Sequence, residues 1–171
     1  MERLNSRWLA PSPSWLKLNF DGAARTGVVA GGGIIRDRFG NLILAYAGDF
    51  GSASSNMVEA VALFWGLKLA LNINAKRLTI EGDSKLIIEA TKGASGISLM
   101  ISNILKDIWP IIVWLEEFQL QYIYREGNSV VDSLVAVGLE MKGMRCWRHL
   151  DSLSDIQKSL IGRDQNFTTN Q

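Results

Sequence analysis

Four acidic residues, far apart in the chain, occupy positions where a carboxylate has no obvious structural purpose. They are Asp21 in LNFDGAA, Glu59 in SSNMVEAVALFWGL, Asp83 in LTIEGDSKLIIEA and Asp132 in YREGNSVVDSLVAVG. The residues around Glu59 are apolar nearly all the way round a helix, which is typical of a buried helix. Because an ionised carboxylate is very costly to bury without a partner, Glu59 predicts a cation or a proton beside it.

The four acids lie where a common site could form. Asp21 and Asp83 each follow an apolar strand, and the C-terminal ends of strands are where functional groups collect in open α/β sheets. Glu59 and Asp132 fall in the first turns of two helices. Carboxylates that meet repel each other, and a divalent cation is the usual remedy. A cluster that holds two Mg²⁺ about 4 Å apart can catalyse an in-line displacement on a phosphodiester.

Most of these acids also have a simpler explanation when each is taken singly. Asp83 and Asp132 could favour the starts of helices, because acidic side chains interact well with helix N-termini. Asp21 could simply end a strand. Glu59 has no such alternative, and the four acids together therefore favour a shared site.

The composition is that of an ordinary globular domain. The 171 residues, 47% hydrophobic and 20% charged, suffice for about one domain with a substantial core. No apolar run approaches the ~20 residues that cross a bilayer, and the N-terminus lacks the apolar region of a signal peptide. We therefore expect an intracellular protein, nuclear or cytoplasmic and not secreted. Cys146 is the only cysteine, which excludes an intrachain disulfide.

The charge is distributed unevenly along the chain. From Trp15 to Glu140 there are 11 Lys and Arg against 13 Asp and Glu, a net charge of −2, and the two ends carry +3. Nucleic-acid affinity usually shows itself as a dense Lys and Arg footprint. The central part of the chain is therefore not a basic module. Nothing in the pattern indicates an oligomer, and a monomer is the default expectation.

Periodicity and turn signals predict the elements that position the acids. In chain order they are strands at 15–21, 31–37 and 42–50, a helix at 55–71 capped by Ser54 or Ser55, a strand at 76–81, helices at 84–91 and 99–115, a strand at 118–124 and a helix at 128–141. Gly40 supplies the positive φ of a hairpin turn between the second and third strands. Pro110 predicts a kink or a break in its helix, and Asn128 is the expected cap of the last helix.

The connection from the third to the fourth strand requires a parallel pairing, so the sheet should be mixed. We expect a flexible leader at 1–13, a domain at 14–142 and a polar, partly disordered tail at 143–171. The helical tryptophans Trp65, Trp109 and Trp114 are interpreted as core residues rather than platforms for stacked bases. Arg125 and Glu126 are interpreted as a structural pair in a loop.

The order of elements and four motifs resemble a known family. NFDGAA, NMVEA at 56–60, GDSKLIIEA and YREGNSVVD are similar to the ribonuclease H type, and in particular to the plant reverse-transcriptase-like ribonuclease H domains derived from retroelements. The resemblance covers about Trp15 to Lys142. It implies an α/β, ribonuclease H-like fold, with a five-stranded mixed sheet flanked by helices in the order βββαβα(α)βα.

The resemblance also implies a function. The implied catalytic and metal-binding residues are Asp21, Glu59, Asp83 and Asp132. They would hold Mg²⁺, with Mn²⁺ as the alternative, and hydrolyse the RNA strand of an RNA–DNA hybrid, the nucleic-acid partner. Asn56 and Ser84 would lie near that nucleic acid.

Two features differ from the family pattern. Tyr122 stands where members often carry a histidine that is thought to help the product leave, and the only histidine, His149, lies beyond the expected domain. There is also no basic helix and loop to grip a hybrid. These differences leave an alternative open, a nucleic-acid-binding or protein-interaction module with little or no catalytic activity.

Overall fold

The computed structural model describes residues 6–51 and 54–169, without the side chains of residues 55, 56 and 169. Its strands are β1 (Leu16–Arg25), β2 (Val28–Arg36), β3 (Leu42–Asp49), β4 (Arg77–Gly82), β5 (Glu117–Tyr122) and β6 (Met144–Trp147). Its helices are α1 (Ser55–Asn72), α2 (Lys85–Thr91), α3 (Leu99–Trp114), α4 (Ser129–Gly138) and α5 (Asp155–Thr169). A 3-10 turn, Arg125–Asn128, precedes α4. Within the described ranges, no helix has the length and apolar character needed to span a membrane.

All the strands belong to one mixed sheet, in the order β5-β4-β1-β2-β3-β6. β1, β2 and β3 form an antiparallel meander, as the turn signals predict. β4 pairs with β1 in parallel, and β5 pairs with β4 in parallel. The last pair in the β1–β4 register is Phe20 with Gly82. Asp21, where β1 continues alongside β2, and Asp83, the first residue after β4, therefore lie side by side just beyond the end of this parallel pair.

Helices cover both faces of the sheet. Leu18 and Phe20 of β1 and Ile80 of β4 pack with apolar residues of α1, α2 and α3 in the larger core. The opposite face of β2 and β3 packs against α4 and α5 in a second core. Local signals also hold: the Ser54 hydroxyl accepts from the Met57 amide at 3.3 Å and caps α1.

The number of strands and the order of the tail differ from the prediction. The sheet has six strands rather than five, because residues 144–147 pair with β3 as an antiparallel edge strand. The tail is not disordered at residues 155–169, which form α5. Its composition is polar, but Leu153 and Ile161 are buried against α4, and a few well-placed apolar residues are enough to hold a helix on a core.

The leader is also ordered where the structure describes it. Trp8 is fully buried, and its indole Nε1 donates to Asn19 Oδ1 at 3.0 Å. The Arg36 guanidinium lies 4.1 Å from the centroid of the Trp8 ring, a cation–π contact. The prediction of a flexible segment is therefore wrong for the residues around Trp8. A tryptophan followed by two prolines gave no periodic signal, so its burial could not be predicted locally.

A buried ion pair joins the C-terminal helix to the sheet. Arg36 Nη1 of β2 donates to Asp164 Oδ2 of α5 at 2.7 Å, and both side chains are at most 3% exposed. A second buried pair, Lys17 Nζ with Glu81 Oε2 at 3.2 Å, links β1 to β4. The pairing of opposite charges is what makes these groups tolerable away from water.

Two further expectations for helices are corrected: Pro110 causes no break, although a kink there stays a prediction, and two of the three tryptophans are not plain core residues. α3 runs unbroken through Pro110, since the proline lies on the exposed side of the helix, where water can satisfy the carbonyl group that loses its partner. Trp114 is 77% exposed and Trp109 is 38% exposed, so neither is a plain core residue. Helical spacing alone could not decide this, because most of the outer face of α3 is apolar too.

Replacement of Asp164 by Asn should destabilise the protein by about 3 kcal/mol, because it leaves the Arg36 charge buried and uncompensated. Urea unfolding followed by circular dichroism measures the change. Arg77→Gln is the matched control, since Arg77 pairs with Glu116 and Glu117 at the surface, at 3.4 Å in each case, where such pairs contribute about 1 kcal/mol or less. Equal losses in the two variants would contradict the buried bridge.

Candidate active site

Glycine at position 22 allows the first two acids to meet. A Cβ at Gly22 would lie 2.6 Å from Val58 Cγ1 and 2.9 Å from the Glu59 backbone nitrogen, so only glycine lets the first turns of α1 pack this closely on β1. The Gly22 amide also donates to Asp21 Oδ1 at 2.8 Å. This close approach places Glu59 beside Asp21. The sequence pattern predicts the end of a strand at this Asp-Gly pair, whereas β1 continues to Arg25.

Three of the four predicted acids form a compact cluster. Asp21, Glu59 and Asp83 each offer a carboxylate oxygen, and these oxygens lie within 4.8 Å of one another. Asp132 does not belong to this group, but it lines the same cleft, together with Tyr122 and Arg125. Asp132 Oδ1 accepts from Arg125 Nη2 at 3.4 Å. Residues from β1, α1, α4 and the loop after β4 therefore converge on one cleft.

The electrostatics of the cluster follow from its burial and crowding. Burial raises the pKa of Asp21 to about 7, and the hydrogen bond and charge of Glu59 act in the same direction. Burial also raises the pKa of Asp83 to about 7, assisted by the charge of Asp21 and opposed by Asn128 and Arg125. The pKa of Glu59 is raised by burial, with a hydrogen bond from Ser84 opposing the shift. Without a cation, the cluster therefore retains protons near neutral pH.

The structure describes the side chain of only one of the two predicted substrate-binding residues. The Ser84 hydroxyl caps α2 by accepting from the Ile87 amide at 3.3 Å, besides its hydrogen bond to Glu59. The Asn56 backbone lies in the first turn of α1, but its side chain is outside the part of the chain that the structure describes. Contact of either residue with nucleic acid stays a prediction, as do the catalytic and metal-binding roles of the four acids.

Asn128 has a role that the sequence did not indicate. It is the N-cap residue of α4, as predicted, but its side chain makes no capping hydrogen bond. It is 1% exposed, and its Nδ2 donates to the Phe20 carbonyl at 3.1 Å. A hydrogen bond from Asn128 also lowers the pKa of Asp83. Asn128 thus connects the turn before α4 to the backbone next to Asp21 and to Asp83, which only the packed structure reveals.

The donor set of the cleft suits a hard divalent cation. Carboxylate oxygens are the ligands that Mg²⁺ and Mn²⁺ prefer, and a positive charge would relieve the repulsion among the three clustered carboxyls. Among the residues that line this cleft in the described ranges, none is a histidine or cysteine, and Arg125 is the only lysine or arginine. The residues present therefore fit a hard divalent cation.

Known structures identify the class of the fold. The chain is similar to ribonuclease H1 of the halophilic archaeon Halobacterium salinarum NRC-1, with a TM-score of 0.70 and 21% identity, over 74% of this chain and 98% of that one. It is similar to LC11 ribonuclease H1, isolated from compost and solved in complex with an RNA/DNA hybrid, with a TM-score of 0.67 and 22% identity, over 73% and 96% of the two chains. The α/β fold is therefore that of the ribonuclease H type.

The family follows from the sequence match. The model of the reverse transcriptase-like family matches residues 19–138, and the chain belongs to this family. A relative in Arabidopsis thaliana, named "Putative ribonuclease H protein", is 26% identical over 161 residues, which are 92% of this chain and 25% of the relative. The chain thus spans about a quarter of the length of that relative. The resemblance to a reverse-transcriptase-like domain of ribonuclease H type is confirmed.

In the absence of divalent cations, Asp21→Asn should raise the Tm, and the gain should be larger at pH 8 than at pH 5. The folded-state pKa of Asp21 is about 7, above the ordinary value of 3.8. The folded protein therefore binds this proton more tightly than the unfolded chain, and its penalty grows as pH rises from about 4 to about 7. Thermal unfolding in EDTA at the two pH values measures the difference.

Asp107→Asn is the control for this experiment, because Asp107 is exposed on α3. Mg²⁺ or Mn²⁺ at pH 8 should raise the Tm of the wild type more than that of Asp21→Asn, since a ligand stabilises the state that binds it. A lower Tm for Asp21→Asn than for the wild type at pH 8 in EDTA would contradict the crowded-carboxyl interpretation.

Proposed function

We propose that this chain is a metal-dependent endonuclease that hydrolyses the RNA strand of RNA–DNA hybrids. The observation that carries the proposal is the cluster of Asp21, Glu59 and Asp83, with carboxylate oxygens within 4.8 Å of one another, where the parallel pairing of β1 with β4 ends. The ribonuclease H-type fold supports it, as does LC11 ribonuclease H1, a similar structure solved with an RNA/DNA hybrid. The name of the Arabidopsis relative agrees with this assignment.

The four acids would share the work of holding divalent cations. Asp21, which hydrogen-bonds both Glu59 and Asp83, would contribute to two cation positions, Glu59 and Asp83 to one of them, and Asp132 to the other. Mg²⁺ or Mn²⁺ bound there would activate the attacking water and neutralise the leaving oxygen of the phosphodiester. In this scheme no side chain acts as a covalent nucleophile.

The remaining residues of the cleft would bind and orient the substrate. Arg125 offers a cation beside the acids, which reduces the repulsion that a phosphate meets on entering the cleft. Asn128 holds the turn that precedes α4 against β1 and Asp83. Ser84 keeps the Glu59 carboxylate in place by its hydrogen bond. Orientation of this kind is how a site without a nucleophile gains its rate.

A second candidate function is a nucleic-acid-binding or protein-interaction module with little turnover. The observation that favours it is Tyr122, which lines the acidic cleft in place of the expected histidine and packs edge-on against Tyr124, with ring centroids 5.5 Å apart. A histidine could exchange a proton near neutral pH, and a phenol hydroxyl offers no such exchange. The retained acids argue against this candidate, because loss of crowded carboxylates would stabilise the fold.

Incubation of the protein with an end-labelled RNA–DNA hybrid, with Mg²⁺ and separately with Mn²⁺, tests the proposal. We expect metal-dependent cuts in the RNA strand only, and none in single-stranded RNA or duplex DNA. Asp21→Asn should lower the rate by at least about a hundredfold, since residues that merely orient metal ligands already contribute 10–100-fold. Asp107→Asn is the matched control and should keep full activity.

Absence of cleavage with both metals, in protein that circular dichroism shows to be folded, would reject the nuclease. A gel shift of the uncut hybrid in that case would select the binding module. Cleavage that survives Asp21→Asn unchanged would reject the assignment of the site, even if the nuclease itself stood.

A further inference from the structure

The C-terminal helix α5 lies beyond the part of the chain that matches the family. The family match ends at residue 138, and α5 covers Asp155–Thr169. The ribonuclease H1 structures match 73–74% of this chain but 96–98% of their own length. About a quarter of this chain is therefore additional to the ribonuclease H1 fold, and α5, which belongs to this part, contacts one of the elements that carry the cleft residues.

This contact lies at the start of α4. Arg163 Nη2 of α5 donates to Ser129 Oγ at 2.6 Å. Ser129 is the first residue of α4 and directly follows Asn128, which bonds the backbone before Asp21. Asp132 lies in the first turn of the same helix. The Arg163 side chain of α5 thus contacts the short segment that carries Asp132 and Asn128.

The N-terminal segment contacts the same short segment from its other end. A Cβ at Gly127 would lie 3.1 Å from the Arg7 carbonyl carbon and 2.5 Å from Ile123 Cδ1, so the turn is packed closely between the leader and the end of β5. The Arg7 guanidinium lies 5.2 Å from the centroid of the Phe167 ring of α5. The leader and α5 therefore contact each other beside this turn.

α5 is anchored to the rest of the fold by contacts away from the cleft. Ile161 of α5 is buried in the second core with Val131 and Leu134 of α4. Asp164 forms the buried bridge to Arg36, and Gln165 Nε2 donates to Asn41 Oδ1 at 3.0 Å at the hairpin turn. Because α5 is held at several points, the backbone that carries Arg163 has a fixed position relative to α4.

We propose that Arg163 is a positioning residue for the cleft. Through Ser129 it fixes the start of α4, and so sets the place of Asp132 and Asn128 relative to Asp21, Glu59 and Asp83. Asp132 stands outside the compact cluster of three, so its reach into the cleft depends on where α4 begins. The catalytic consequence rests on the proposed nuclease function, whereas the structural consequence does not.

Hydrogen exchange of the metal-free protein tests the structural part. We expect Arg163→Gln and Ser129→Ala to accelerate exchange in the peptide 125–138 by about tenfold, since each removes a hydrogen bond to a charged group. Ser129→Ala leaves the neighbouring Arg163–Asp164 pair, 3.9 Å apart, intact, so an effect common to both variants belongs to the Arg163–Ser129 contact. Gln165→Ala removes a different hydrogen bond made by the same helix, and it should leave the exchange rate of this peptide unchanged.

Steady-state cleavage of the hybrid tests the catalytic part. Arg163→Gln and Ser129→Ala should each lower kcat by about three- to tenfold with little change in KM, and the double variant should lose no more than either single one. Arg163→Lys should recover most of the rate, because an ammonium group can also donate to Ser129. Gln165→Ala should have the wild-type kcat.

Three results would overturn the proposal. A raised KM with a salt dependence reduced by about one charge would mean that Arg163 contacts phosphate itself. Equal effects in Gln165→Ala would mean that α5 contributes only general stability. Unchanged exchange and kcat in both variants would mean that the contact has no role. If the wild type cuts no hybrid, the nuclease proposal fails separately, and the exchange experiment still decides the role of Arg163.

Discussion

The parallel pairing of β1 with β4 is the constraint on which the site depends. It places Phe20 opposite Gly82, and so brings Asp21 and Asp83 next to each other just beyond the end of the parallel pair. The register is held by buried side chains as well as by the backbone, since Asn19 Nδ2 donates to Glu81 Oε1 at 2.8 Å. A slip of one residue would turn these side chains to the opposite face. The buried polar residues of β1 and β4 therefore help to fix the register that brings the cleft acids together.

The rest of the fold then has to tolerate the charges that this register brings together. Burial and mutual repulsion raise the pKa values of Asp21 and Asp83 to about 7. Such a cluster opposes folding when no cation is bound, and functional sites commonly carry a cost of this kind. Its stability comes from elsewhere, from the apolar cores on both faces of the sheet and the helices that cover them.

The terminal segments extend this framework beyond the ribonuclease H1 architecture. Trp8, Arg36 and Asp164 form a buried group that joins the leader, β2 and α5. The sequence predicts a flexible leader and a polar, partly disordered tail, yet a few buried side chains in these segments attach both of them to the sheet. The same segments reach the turn before α4, which links the periphery of the chain to the acidic cleft.

The sequence alone determined the elements that depend on neighbouring residues: the capped helix with Glu59, the hairpin at Gly40, and the strand that precedes Asp83. These follow from period, caps and turn residues, which act over a few positions. Only the tertiary structure decided that β1 continues past Asp21 to Arg25, that Asp132 lies outside the compact cluster of the other three acids, that the Asn128 side chain supports this cluster instead of making a capping hydrogen bond, that Trp114 is exposed, and that the tail supplies β6 and α5. Each of these depends on contacts between distant residues, such as Arg36 with Asp164 at a separation of 128 positions, and no local pattern encodes which distant residues will pack together.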